Sequence, residues 1–286
     1  MNDISWIVPY RTEALTAFFS LFRIFANEPL IVLSLFLGYW VVQRRFFRDL
    51  LVLVSVSVLL NMALKAGFQV PRPGVPQLSE VNPATLYSFP SGGVQIVTVL
   101  WLSLAALVAR FSFSCAAIAV ILGTACSRIY LGVHYPFDVI GGFVVGALLV
   151  ALFWRYRAHL SFRYPVLLAG YMLLGGLYFW LTPSYLNSLS IVYLGILGGV
   201  GLGSYFMESF PCDRPKSFVG VFLLAVWGLG SLISLNYWLM PLKTYSSWGA
   251  YASYLIIGVY VISGVPHSFG LLSLPFTKKP QESPCG

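Results

Sequence analysis

Apolar runs broken by short polar stretches recur along the whole chain. Crossing a bilayer takes about 20 residues of helix, and the pattern predicts spans at 28–43, 50–68, 93–109, 112–129, 138–154, 164–181, 191–207, 218–237 and 249–267. The expected fold is therefore all-α, a polytopic membrane helix bundle of about nine transmembrane helices. Ahead of the first span, Leu15, Phe18, Phe19, Phe22 and Phe25 share one helical face and Thr16, Ser20, Arg23 and Asn27 the other, which predicts an interfacial N-terminal helix. The alternative is one long helix over 13–42, kinked at Pro29. No polar domain interrupts the runs. Residues 1–286 thus read as one integral membrane domain: an interfacial segment 1–27, a core 28–160, additional transmembrane helices over 161–280 and a tail 281–286. Met1 to Arg11 contains Asp3 and lacks a basic stretch followed by an apolar one, so the first span is expected to direct insertion.

Composition supports this reading. The chain is 58% hydrophobic and 9% charged, with mean hydropathy +0.83, where a soluble domain carries about 25% charged residues. The net charge of +8 is not gathered on a soluble face, so no nucleic-acid partner is expected. With nine spans, Arg44, Arg45, Arg48, Arg110, Arg155, Arg157, Arg163, Arg214, Lys216, Lys278 and Lys279 fall on one side, which the positive-inside rule makes cytoplasmic. Cys115, Cys126, Cys212 and Cys285 are too dispersed for a disulfide framework.

Three segments then carry polar residues that a packing helix does not need, all at the outer ends of spans two to five. In the first, Lys65 ends a span and Arg72-Pro73 follows in a proline-bounded loop, so two cations could face one anion; snorkelling to headgroups is the plain alternative. The second, Ser88-Phe-Pro-Ser91-Gly92-Gly93, leads into a helix whose N-terminal amides would attract phosphate, although Ser-Gly-Gly is also an ordinary cap. The third runs from Ser127-Arg128 to His134 and Asp138. A carboxylate four residues from an imidazole can fix its tautomer and make it nucleophilic.

The order Lys-x6-Arg-Pro, Pro-Ser-Gly, Ser-Arg-x5-His-x3-Asp resembles the type 2 phosphatidic acid phosphatase superfamily over about residues 50–155. That resemblance implies that Lys65, Arg72, Ser91, the Gly92 backbone and Arg128 bind a phosphoryl group. It also implies that His134 attacks phosphorus with Asp138 orienting it, through a phosphohistidine and with no metal or other cofactor. It implies a histidine after Pro-Ser-Gly that protonates the departing oxygen. Gly93 stands there instead, and His159 and His267 are predicted toward the opposite ends of spans. A chain lacking its general acid should turn over slowly, as a disabled or a degenerate member, and should favour diphosphates, whose leaving phosphate needs a proton least.

Lipid phosphates or diphosphates among the membrane lipids are the expected substrates, at the periplasmic face of a bacterial inner membrane or the lumenal face of the endoplasmic reticulum. A soluble sugar phosphate is the alternative substrate. A lipid-phosphate binding or transport pseudoenzyme, or a lipid phosphotransferase, are the alternative functions.

Overall fold

In the computed structural model the described residues are 4–73, 87–156 and 188–277. Their regular structure is helical, apart from an isolated bridge between Pro71 and Tyr87. A 3₁₀ turn, Ser5–Tyr10, precedes α1 (Glu13–Leu21), and a second, Ile24–Ala26, precedes α2 (Glu28–Val41). Then follow α3 (Arg44–Phe68), α4 (Gly92–Val108), α5 (Phe111–Tyr130) and α6 (Pro136–Tyr156). The C-terminal half holds α7 (Ser188–Ser209), α8 (Phe218–Trp238), the short α9 (Met240–Tyr245), α10 (Ser247–Val259) and α11 (Val265–Thr277). A π-helical turn, Tyr260–Gly264, joins the last two.

Nine spans are not supported. Among the described residues, six helical stretches are long and apolar enough to cross a membrane, seven if the bent pair Glu13–Ala26 and Glu28–Val41 counts as one. Gly92–Val108 has 17 residues, only about 26 Å of helix. Its apolar character reflects the protein core as much as lipid, since Val94, Ile96, Val97 and Val99 are buried. The expected span 164–181, the tail 281–286 and His159 lie outside the described residues.

The break before α2 is not a proline kink. The chain leaves the helix and restarts: Asn27 is extended and its side chain accepts a hydrogen bond from the Leu30 N–H at 3.1 Å, satisfying one of the first orphan amides. Pro29 sits in the first turn, where a missing N–H costs nothing. The two arms meet at 47°. The upstream arm packs across α5, with Phe19 and Tyr130 rings 4.5 Å apart and Ser127 Oγ donating to the Phe19 carbonyl at 2.8 Å.

One core runs through α2, α3, α4, α7 and the π-helical turn, with Leu35, Trp40, Leu50, Val97, Tyr193 and Ile262 buried within it. Trp40 Nε1 and Tyr39 Oη donate to the Val261 and Ile262 carbonyls at 2.9 and 3.0 Å, groups inside the wider π turn. Small residues set the closest approaches. A Cβ on Gly199 would lie 2.3 Å from the Leu255 carbonyl oxygen, and one on Gly142 would lie 2.5 Å from that of Ser91. Glycine thus lets α7 meet α10, and α6 meet the start of α4, backbone to backbone.

Candidate active site

The C-terminal ends of α3 and α5 and the N-terminal ends of α4 and α6 all point to the same end of the bundle. Each carries part of the predicted constellation, and the structure brings all of it together. Arg44, Arg45, Arg48, Arg110 and Arg155 mark the opposite ends of these helices.

Lys65, in the last turn of α3, is buried, and its ammonium donates to the carbonyls of Tyr87 at 2.9 Å and Ser88 at 3.0 Å. Ser88 Oγ in turn donates to the Pro71 carbonyl at 3.1 Å. This fastens the Arg72 loop to the segment that enters α4. Arg72 Nη1 then donates to the Val133 carbonyl at 2.9 Å and lies 3.4 Å from His134 Nε2.

The α5–α6 turn needs Gly132, whose φ is 73°, a conformation glycine adopts without strain. It carries His134 back over the bundle to face Asp138, with Nδ1 3.4 Å from Oδ2. The same oxygen accepts the Tyr135 N–H at 2.8 Å, locking the carboxylate at the start of α6. A guanidinium can only donate, so Nε2 must be the unprotonated nitrogen and Nδ1–H must face Asp138. Burial pushes the imidazole down from 6.5 to about 4. The Asp138 hydrogen bond opposes this fall, whereas the Arg72 and Lys65 charges add to it. The ring is therefore neutral at pH 7, its Nε2 lone pair turned toward the cations.

Ser91 caps α4 without using its side chain: Oγ is buried and has no hydrogen-bond partner, while its N–H donates to the Asp138 carbonyl at 2.9 Å. Next to it, Arg128 fills the room over Gly93. A Cβ on Gly93 would lie 2.9 Å from both Nε and Nη2 of Arg128, and that Nε is buried without a partner. Among the described residues, the Ser91 hydroxyl and the Arg128 Nε–H thus stand without an acceptor beside the N-terminus of α4. Such orphaned donors mark a place built for an anion.

Beneath this cradle lies a network that the sequence motifs do not include. Gln95 Nε2 donates to the Ser57 carbonyl and hydroxyl at 2.8 and 2.9 Å. Asn61 Nδ2 donates to Gln95 Oε1 at 2.8 Å and to the Pro90 carbonyl at 3.2 Å. The network holds the Pro-Ser-Gly turn against α3. Ser57, Asn61 and Lys65 follow at intervals of four, a polar stripe along an otherwise apolar helix, and that stripe is the signal that could have found Asn61. His267 is not at the site: its ring nitrogens face the carbonyls of Ser263 and Phe210 at 2.6 and 2.7 Å. Arg214, the arginine of the second Arg-Pro pair in the chain, donates to the Val42 carbonyl at 2.8 Å.

A helical bundle with an oriented histidine beside clustered cations is an arrangement chemically suited to handling a phosphoryl group. Residues 46–161 match the model of the PAP2 superfamily. A curated relative is "Putative undecaprenyl-diphosphatase YbjG" of Escherichia coli (strain K12), 26% identical over 136 residues, covering 46% of this chain and 68% of that protein. Among solved structures, the crystal structure of Aquifex aeolicus LpxE matches with a TM-score of 0.46 and 23% identity, over 54% of this chain and 93% of that one.

Proposed function

We propose that this chain is a membrane phosphatase that removes phosphate from lipid phosphates or diphosphates through a phosphohistidine on His134. The observation that carries the reading is the orientation of that ring. Arg72 and Asp138 hold its two nitrogens, so that Nε2 faces the Arg72 guanidinium while Nδ1 faces the carboxylate, within the field of Lys65. Nε2 attacks phosphorus as the bond to the leaving oxygen breaks, the cations and amides stabilise the equatorial oxygens, and Asp138 stabilises the imidazole that has gained a bond. Water then attacks the phosphohistidine and the P–N electron pair returns to Nε2. The similarity to a relative described as an undecaprenyl-diphosphatase supports a lipid diphosphate in particular. The arginines at the other end of the same helices support an outward-facing site, periplasmic in a bacterial inner membrane. Gly93 supplies no proton for the leaving group, so turnover is slow with alkyl phosphates.

Incubation of the detergent-solubilised chain with [32P]phosphatidic acid or a [32P]polyprenyl diphosphate tests the reading. An acid-labile, base-stable label should appear and map to His134, and His134→Asn should abolish it. No label from either substrate would refute the proposal. That result would favour the second reading, a lipid-phosphate binding protein, which the filled space over Gly93 supports.

A further inference from the structure

Among the described residues outside 46–161, Glu28 carries a carboxyl that borders the start of α4. Glu28 is the first residue of α2, half-buried, and lies where the chain restarts after the Asn27 cap. Together with Gly92, Asn61, Gln95 and Ser57 it lines a cavity of about 20 Å³ directly under the cradle, room for one water. Among the described residues, one polar atom of this lining has no partner: Asn61 Oδ1, which a Cβ on Gly92 would approach to 3.0 Å.

The charge that acts on the Glu28 carboxyl is that of Arg128, the residue whose guanidinium occupies the room over Gly93. Among the described residues Glu28 makes no ion pair within 4.0 Å, so Arg128 does not hold it as a fixed carboxylate salt bridge. An unpartnered acceptor such as Asn61 Oδ1 in the same cavity is what a protonated carboxyl requires, because its O–H must donate somewhere.

We infer that Glu28 is the proton source for the leaving group in this chain, relayed by a water in the cavity it shares with Gly92, in place of the side chain that Gly93 lacks. The inference rests on the phosphohistidine reading above. As Nε2 of His134 bonds to phosphorus, the P–O bond breaks and its electron pair stays on the leaving oxygen. The relay water gives that oxygen a proton and takes one from the Glu28 O–H, leaving a carboxylate that faces Arg128. The carboxylate recovers its proton from solvent between turnovers, and the second displacement, by water on the phosphohistidine, does not use it. A relayed proton is a poorer donor than one on a side chain at position 93, so this arrangement slows turnover without abolishing it.

The test compares two leaving groups on the full chain and on Glu28→Gln. With dioctanoyl phosphatidic acid, whose alkoxide needs a proton, kcat should fall about 10²-fold in the variant. With p-nitrophenyl phosphate, whose phenolate leaves unaided, it should change less than about threefold, the scatter of context effects on a remote group. The aryl substrate also shows that the variant is folded. Equal losses on both substrates would mean a structural role, and unchanged turnover of both would mean none. Either result overturns the inference while leaving His134 labelling intact, whereas absence of label in the unsubstituted chain overturns the phosphohistidine reading itself.

Discussion

Replacing Gly93 tests the site through two opposing effects. A β-carbon there lies 2.9 Å from Nε and Nη2 of Arg128. That is inside any real contact distance, so the guanidinium, the far end of a flexible side chain, must swing away. Losing one charge-assisted hydrogen bond to the phosphoryl group costs about 1.5–3 kcal/mol, or roughly 10- to 150-fold at 1.4 kcal/mol per decade. Gly93→Ala should therefore lower kcat/KM on phosphatidic acid by about that factor. Gly93→His displaces Arg128 equally but adds a general acid, worth about 10²- to 10⁴-fold. The informative quantity is the ratio of histidine to alanine variants, expected near 10² or above, while histidine against glycine can be much smaller. Phosphate release from phosphatidic acid in detergent micelles measures both. A polyprenyl diphosphate should show a smaller ratio, because its leaving phosphate needs less protonation. If the histidine variant is no faster than the alanine variant on phosphatidic acid, position 93 does not face the leaving group and the reasoning fails.

Two further outcomes follow from geometry and charge. The native state holds His134 neutral, with its pKa lowered from 6.5 to about 4. As pH falls below 6.5 the unfolded chain therefore takes up the proton first, and stability should drop between about 6.5 and 4. Thermal unfolding of the chain against His134→Gln over that range checks this, and parallel pH profiles would contradict it. Gly142→Ala sets a methyl group 2.5 Å from the Ser91 carbonyl oxygen and must push α6 from α4. It should cost about 1–3 kcal/mol of stability and lower turnover by moving Ser91 against Asp138. An unchanged melting temperature with unchanged activity would show that the contact is not limiting.

The helical runs were legible wherever apolar stretches are long and flanked by charge: 50–68, 112–129, 138–154, 191–207 and 218–237 all emerge as helices α3, α5, α6, α7 and α8. The number of spans was not, because apolarity marks burial in protein as readily as burial in lipid, and α4 is short and packed on several sides. Lys65, Arg72, Ser91, Gly92, Arg128, His134 and Asp138 were legible because charge and glycine at membrane helix ends need a reason. Asn61 and Gln95 escaped notice because each is a single neutral polar residue in an apolar run, and their significance lies in the bond between them. Glu28 belongs to none of the motifs, since nothing in the sequence brings the start of α2 to the start of α4. The Arg128 side chain over Gly93 depends on an empty volume and a rotamer, neither of which a one-dimensional pattern records.

The hydrogen bond from the Ser91 amide to the Asp138 carbonyl, seated on Gly142, joins the anion cradle to the carboxylate that orients the nucleophile. The reacting parts consequently share one rigid footing. On the proposed reading, the rest of the substrate is left to the surrounding helices, so that substrate range and chemical competence can drift independently.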